Sequence, residues 1–254
     1  MKIKAKVVGR INIDPDQLVT LDHVRRTGED YSQRKIMKFT AIGSSLERCL
    51  FANAQIDDAS FGSGREMSEY IECSFDGMRF SHGGGHARFV RCSFRNVNLR
   101  DWFARSTEMI DCVLGGRLHT AIFCGRIPVA EEREFLGREF NEFHGNDFSA
   151  LKMVDVNFNK GIDLTQQQLP SDPRYIYVPD APMAVTRVQA GLNIWDANPE
   201  LRRSAQIIAD GYKRIVDEGQ QQLFEQLDTY YQYSKKTFPR EAIDKVFALL
   251  RGES

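Results

Sequence analysis

The sequence predicts a mainly β chain: a quadrilateral β-helix with a β-rich cap before it and an α-helical segment after it. Three observations carry this expectation. Cysteines at 49, 73, 92 and 112 recur at intervals of 24, 19 and 20 residues, in "ERCLF", "IECSF", "VRCSF" and "IDCVL". Large apolar residues recur every five positions: Leu46, Phe51, Ile56 and Phe61; Phe75 and Phe80; Phe89, Phe94 and Leu99; Met109 and Leu114; Leu118 and Phe123; Phe143, Phe148, Met153 and Phe158. Two residues before most of these stands something smaller, such as Ser44, Cys49, Ala54, Ala59, Cys73, Ala87, Cys92, Val97, Cys112 or Ala121; Met78, Asn141, Asn146 and Leu151 depart from that rule.

A step of five suits neither the α-helical period of about 3.6 nor the strand period of about 2. It suits a chain that turns a corner after every fifth residue and points one large and one small side chain inward on each side. Four sides make a coil of about 20 residues, and successive coils stack at the inter-strand spacing of about 4.8 Å. Cys49, Cys73, Cys92 and Cys112 then form a structural core ladder, with Phe51, Phe75, Phe94 and Leu114 stacked beside it. Cysteine in such a dry column acts as a small hydrophobe rather than as a metal or redox group.

The segments "ANAQI", "DASF", "NVNL" and "HGNDFSALKM", and the run-out "GIDLTQQQLP", resemble the pentapeptide-repeat family. The likeness covers about half of the chain. It implies a right-handed quadrilateral β-helix. It also implies a possible role, because some members imitate duplex DNA, bind type II topoisomerases and protect them from an inhibitor or toxin.

The expected organisation has four parts. Residues 1–38 carry nine Lys/Arg and five Asp/Glu, and Lys2–Ile13 alternates as a strand does, so this stretch reads as a β-rich cap. Residues 39–169 hold the repeats, with loop insertions expected near 62–70 ("GSGREMSEY"), 81–87 ("SHGGGHA") and 125–139 ("GRIPVAEEREFLGRE"), where the five-residue register breaks. Residues 170–194 read as a Pro-rich linker, since "LPSDPRYIYVPDAP" contains four prolines. Residues 195–254 read as helical. Asn198 is an N-cap ahead of Pro199, and Leu201, Ala205, Ile208, Tyr212 and Ile215 form an apolar stripe. Leu223, Leu227, Tyr230 and Tyr231 mark a second helix, and "FPREAIDKVFALL" a third that opens at Pro239. These helices either cap the last coil or form a homodimer seam.

The chain's 34 basic and 35 acidic residues give a formal charge of −1, which provides no overall field for nucleic acid. The N-terminal stretch has no continuous apolar core of a signal peptide, and no segment approaches a membrane span, so a cytoplasmic location is expected. Five cysteines without CxxC spacing argue against a disulfide framework and against zinc. Walker, HExxH, Rossmann and GxSxG patterns are absent, and no catalytic residue, metal or cofactor is expected.

Candidate partner contacts are His82 and His86 of "HGGGH", Arg65 in the first insertion, and Trp102, Phe103 and Arg105 in and after "LRDWF"; Trp102 stands where a small inward residue is expected, so a locally distorted core is the competing reading there. The expected function is that of a non-catalytic interaction protein whose rigid surface and loops bind another protein. DNA mimicry is the alternative, weakened because residues 39–165 hold 14 basic and 18 acidic side chains, a shallow negative balance. An enzyme site built by loops on the side of the rod is the third reading.

Overall fold

The computed structural model describes residues 17–192, 198–234 and 238–253; the alternating stretch Lys2–Ile13 lies outside them. Two parallel sheets wind around one core. The seven-stranded sheet runs β1 (Leu18–Asp22), β3 (Lys35–Ile42), β5 (Gln55–Ser63), β7 (Arg79–Gly85), β9 (Ser93–Ala104), β11 (Val113–Cys124) and β13 (Asp147–Asn159). The six-stranded sheet runs β2 (Arg25–Thr27), β4 (Ser45–Glu47), β6 (Ser68–Ile71), β8 (Ala87–Val90), β10 (Glu108–Ile110) and β12 (Phe143–His144). Odd and even strands alternate between the sheets, so the chain advances one rung per coil. This is a parallel β-solenoid followed by helices.

The corners are visible in the backbone. Left-handed φ recurs at five-residue steps, at Arg48 and Asn53, at Glu72 and Gly77, and at Arg91, Asn96 and Asp101. Non-glycine residues adopt this conformation rarely, and asparagine and aspartate most readily. The long strands therefore bend: β9 turns at Asn96 and again at Asp101, giving a short flat face between them.

The inward positions are filled. Cys49, Cys73, Cys92 and Cys112 are buried, as are Phe51, Phe75, Phe94 and Leu114. Rings stack nearly parallel from rung to rung, Tyr31 on Phe51 at 4.8 Å, Phe51 on Phe75 at 4.9 Å and Phe75 on Phe94 at 4.5 Å. The thiols donate weakly to backbone oxygens, Cys92 Sγ to Tyr70 O at 3.2 Å and Cys73 Sγ to Leu46 O at 3.4 Å. Burial pushes the Cys49 and Cys92 thiols up and Cys124 up to about 11, which keeps them protonated and unreactive. Asn146 ends the thiol column: its Oδ1 accepts from Cys112 N at 3.0 Å and its Nδ2 donates to Met109 O at 2.9 Å.

Several expected boundaries move. Residue 38 is not a boundary, because β3 runs through it and β1 and β2 are already rungs of the two sheets. Stepping back by fives from Leu46 fails at Ala41, whose small side chain hides the register, yet Tyr31 and Ile36 continue the inward columns. The stretch 81–87 is not a flexible loop but most of β7 and the start of β8. In the first insertion only a bend at Gly64–Met67 leaves the sheets, whereas residues 125–142 do form an excursion, carrying α1 (Ala130–Leu136).

The Pro-rich stretch is not a linker. Between Pro173 and Pro179 lies β14 (Tyr175–Val178), and Pro182 stands in the first turn of α2 (Ala181–Gly191), where no intrahelical N–H is needed. Asn198 caps α3 (Pro199–Asp217), its Oδ1 accepting from Leu201 N at 3.2 Å. The expected second helix divides into β15 (Leu223–Gln226), antiparallel to β14, and α4 (Leu227–Ser234); α5 (Arg240–Arg251) follows Pro239.

The end of the rod is closed by side chains. β13 is the last strand of its sheet, and its free backbone groups need partners. Gln226 Oε1 accepts from Val156 N at 3.0 Å while its Nε2 donates to Val156 O at 2.9 Å. Gln220 Oε1 accepts from Gly161 N and Ile162 N at 3.0 and 3.1 Å, and Thr229 Oγ1 accepts from Asp155 N at 2.8 Å. Phe224 extends the solenoid core, whereas α2, α3 and α5 enclose a second one around Val188, Ile208, Tyr212 and Phe247. The apolar stripe of α3 is thus covered within the chain rather than left as an open seam.

Candidate functional site

The excursion between β11 and β12 returns on itself. Ile127 N donates to Glu139 O at 2.9 Å and Asn141 N to Gly125 O at 2.7 Å, forming a two-stranded neck below α1. Arg133 Nη1 donates to Ile127 O at 2.7 Å and ties the helix to that neck. Gly137, with φ of 68°, ends α1 in the left-handed conformation.

One residue fixes the excursion to the rod. Arg138 donates from Nη1 to Glu108 Oε1 at 3.0 Å, and from Nη2 to Ser106 O at 2.6 Å and to His86 Nδ1 at 2.9 Å. His86 therefore carries its proton on Nε2. Glu108 is 4% exposed and is also faced by Arg88 Nη1 at 3.3 Å, with Glu142 on the other side of Arg88 at 2.6 Å. Burial, followed by the Arg138 charge, lowers His86 to about 4, so the ring stays neutral. Burial raises Glu108, and the two guanidinium groups oppose it.

Between α1 and the rod lies a cleft of about 450 Å³, with Phe103, Arg105 and His86 on the rod side and Glu132, Phe135 and Leu136 on the helix side. Its floor is glycine for a steric reason. A Cβ at Gly62 would stand 1.8 Å from His86 O, and one at Gly85 would stand 2.5 Å from Gly62 O. Only bare backbone allows β5 and β7 to approach there. Phe103 is 43% and Phe135 52% exposed, and Phe140 on the neck is 63% exposed. The Arg105 guanidinium stands 5.7 Å from the Phe103 ring centre.

The structure brings three of the six expected contact residues, His86, Phe103 and Arg105, to this cleft. Arg65 is exposed in the bend beside Gly64, at its margin. His82 is on the outer side of β7, 3.7 Å from Asp101, away from the cleft. Trp102 is a correction: it is fully buried in the core, because its column neighbours in the adjacent coils are Gly83 and Ala121, which leave room for the indole. Sequence reasoning missed Arg138, Glu108, Phe135 and Phe140. The pair "EFLGREF", with two phenylalanines five apart in an otherwise polar insertion, was the available signal.

No group of three or more His, Cys, Asp or Glu residues that could hold a metal ion occurs among the described residues. No described helix is long and apolar enough to cross a membrane. Fold and site together define a parallel β-solenoid with a helical end cap and one anchored helical excursion. No protein-family model matches the chain, and no curated protein matches it.

Proposed function

We propose that this chain is a pentapeptide-repeat protein that acts without catalysis, as a rigid scaffold holding another protein at the cleft between α1 and the rod. The observation that carries the reading is the exposure of Phe103 and Phe135 on opposite walls of a cleft whose position Arg138 fixes. Exposed aromatics beside arginine are the residues that dominate protein–protein contacts. The occupant is a partner segment that inserts one large apolar side chain, because the walls are apolar while Arg105 and Glu132 can orient the flanking backbone.

A photo-crosslinking residue at Phe135 should capture a discrete partner in the native host. The purified partner should then lose at least about tenfold in affinity on Phe103→Ala, roughly 1.4 kcal/mol. An unchanged affinity would refute the reading. DNA mimicry is the second reading, with only the shallow acidic excess of residues 39–165, 18 acidic against 14 basic side chains, behind it. An absence of effect on gyrase supercoiling at micromolar protein would remove it.

A further inference from the structure

The outer face of the seven-stranded sheet between the corners at Asn96 and Asp101 has a charge pattern unlike the rest of the rod. Lys35 pairs with Gln55, Gln55 with Arg79, Arg79 with Asn98, Asn98 with Arg117 and Arg117 with Lys152, so these six exposed residues form one column across six rungs. The column holds four cations, two amides and no carboxylate. Arg100 stands in the neighbouring outward column, beside His119, and Asp57 is the acid there. Five cations thus face one carboxylate on a solenoid whose repeat segment is acidic overall.

Elsewhere on the rod, several surface arginines are neutralised by their neighbours, Arg48 by Glu47, Arg88 by Glu108 and Glu142, Arg91 by Glu72, and Arg126 by Glu139, and those without an ion pair among the described residues, such as Arg25, Arg65 and Arg95, do not line up in one column. None of Lys35, Arg79, Arg100, Arg117 and Lys152 has an ion pair among the described residues. Lys152 bears weakly on Asp172, which is clamped by Arg174 at 2.8 Å. A shallow groove of about 280 Å³ runs beside the column, lined by Gln55, Asp57, Arg79, Ser81, Asn98 and Arg100.

We infer that this column binds an extended acidic segment of a polypeptide, laid along the rod axis. The rungs repeat at about 4.8 Å, so six of them span about 24 Å, the length of roughly seven extended residues. The strip is one column wide and its border is mixed in sign, with Asp57, with Asp58 beside Lys38, and with Asp101 3.7 Å from His82, so it offers no broad cationic face for duplex DNA. Single-stranded nucleic acid fits less well, because the outward positions of this face hold no Phe, Tyr or Trp on which bases stack. The amides of Gln55 and Asn98, set between the cations, add hydrogen-bond donors for carboxylates and peptide carbonyls. This surface is independent of the aromatic cleft; Phe103 lies beyond the corner at Asp101.

Fluorescence anisotropy with a labelled oligoglutamate peptide and the full chain tests the inference. Binding should appear in the micromolar range at about 20 mM salt and weaken at least about tenfold by about 200 mM, as screening removes the attraction. Arg79→Glu with Arg117→Glu should lower affinity at least about tenfold while far-UV dichroism and melting stay unchanged, since both side chains are exposed; Arg48→Glu on another face should leave binding unaltered. Absence of binding, equal binding by the double variant, or tighter binding of oligothymidylate than of the peptide would overturn it.

Discussion

Arg138 donates its Nη2 to Nδ1 of His86 at 2.9 Å, across a separation of 52 residues, and so holds α1 against the rod. The same guanidinium neutralises the buried Glu108. Removing it leaves that carboxylate with only Arg88, so Arg138→Ala should cost about 3 kcal/mol in a urea unfolding titration. Arg138→Lys should not restore the loss, because one ammonium cannot serve three diverging acceptors.

The neutral His86 makes stability fall in acid. The unfolded chain takes up the proton below about 6.5, whereas the folded chain resists until about 4. Lowering pH across that window should cost up to about 3 kcal/mol, with no further His86 contribution above 6.5. In His86→Gln that part of the pH dependence should vanish, as followed by thermal melts.

Glu225 on β15 gives the opposite slope. Burial raises its carboxyl to about 7, against stabilising hydrogen bonds with Tyr212 and Tyr230. The folded chain keeps the proton that the unfolded chain releases from about 4.5 upward. Stability should therefore decline as pH rises from 4.5 to 7, by up to about 3 kcal/mol, and level off above 7. Glu225→Gln should remove the decline and be the more stable protein at pH 8, by differential scanning calorimetry.

Gly83, the register partner of Trp102, leaves space that the Phe80 ring occupies beneath the indole. A Cβ at Gly83 would stand 2.7 Å from the Phe80 ring, which packs edge-on to Trp102 at 5.5 Å. Gly83→Ala should cost about 1–3 kcal/mol by overpacking. A melting temperature equal to that of the unmodified chain would contradict this packing account.

Gln226 serves both backbone groups of Val156 at the end strand. Gln226→Leu should leave a buried N–H and C=O unsatisfied, at about 1–3 kcal/mol each. The uncovered edge should also pair end to end between molecules, and light scattering should show oligomers that the unmodified chain does not form.

Much of the rod was legible because a five-residue register repeats in the residues themselves. Phe51, Phe75 and Phe94 share a column since equal steps along the chain become equal positions around a coil. The register failed where its marker is atypical: Ala41 is too small to announce the coil that Tyr31 and Ile36 begin, and Trp102 looks like an intruder until Gly83 is seen beneath it. The "HGGGH" run read as a loop since glycine usually loosens a chain. Here glycine lets strands approach more closely than a Cβ permits.

The cleft was barely legible. His86, Phe103 and Arg138 are far apart in sequence, and what unites them is the return of an excursion onto a neighbouring coil. The same holds for the capping amides, because Gln220 and Gln226 meet β13 only after two helices have intervened.

The sequence by itself determined the solenoid, its inward columns of thiols and rings, and the capped start of α3, because these follow from local periodicity and nearest-neighbour stacking. Tertiary structure decided where α1 sits, which histidine is buried, how the last strand is closed and which cations align. Those depend on contacts between residues dozens of positions apart, and no local pattern encodes such distances.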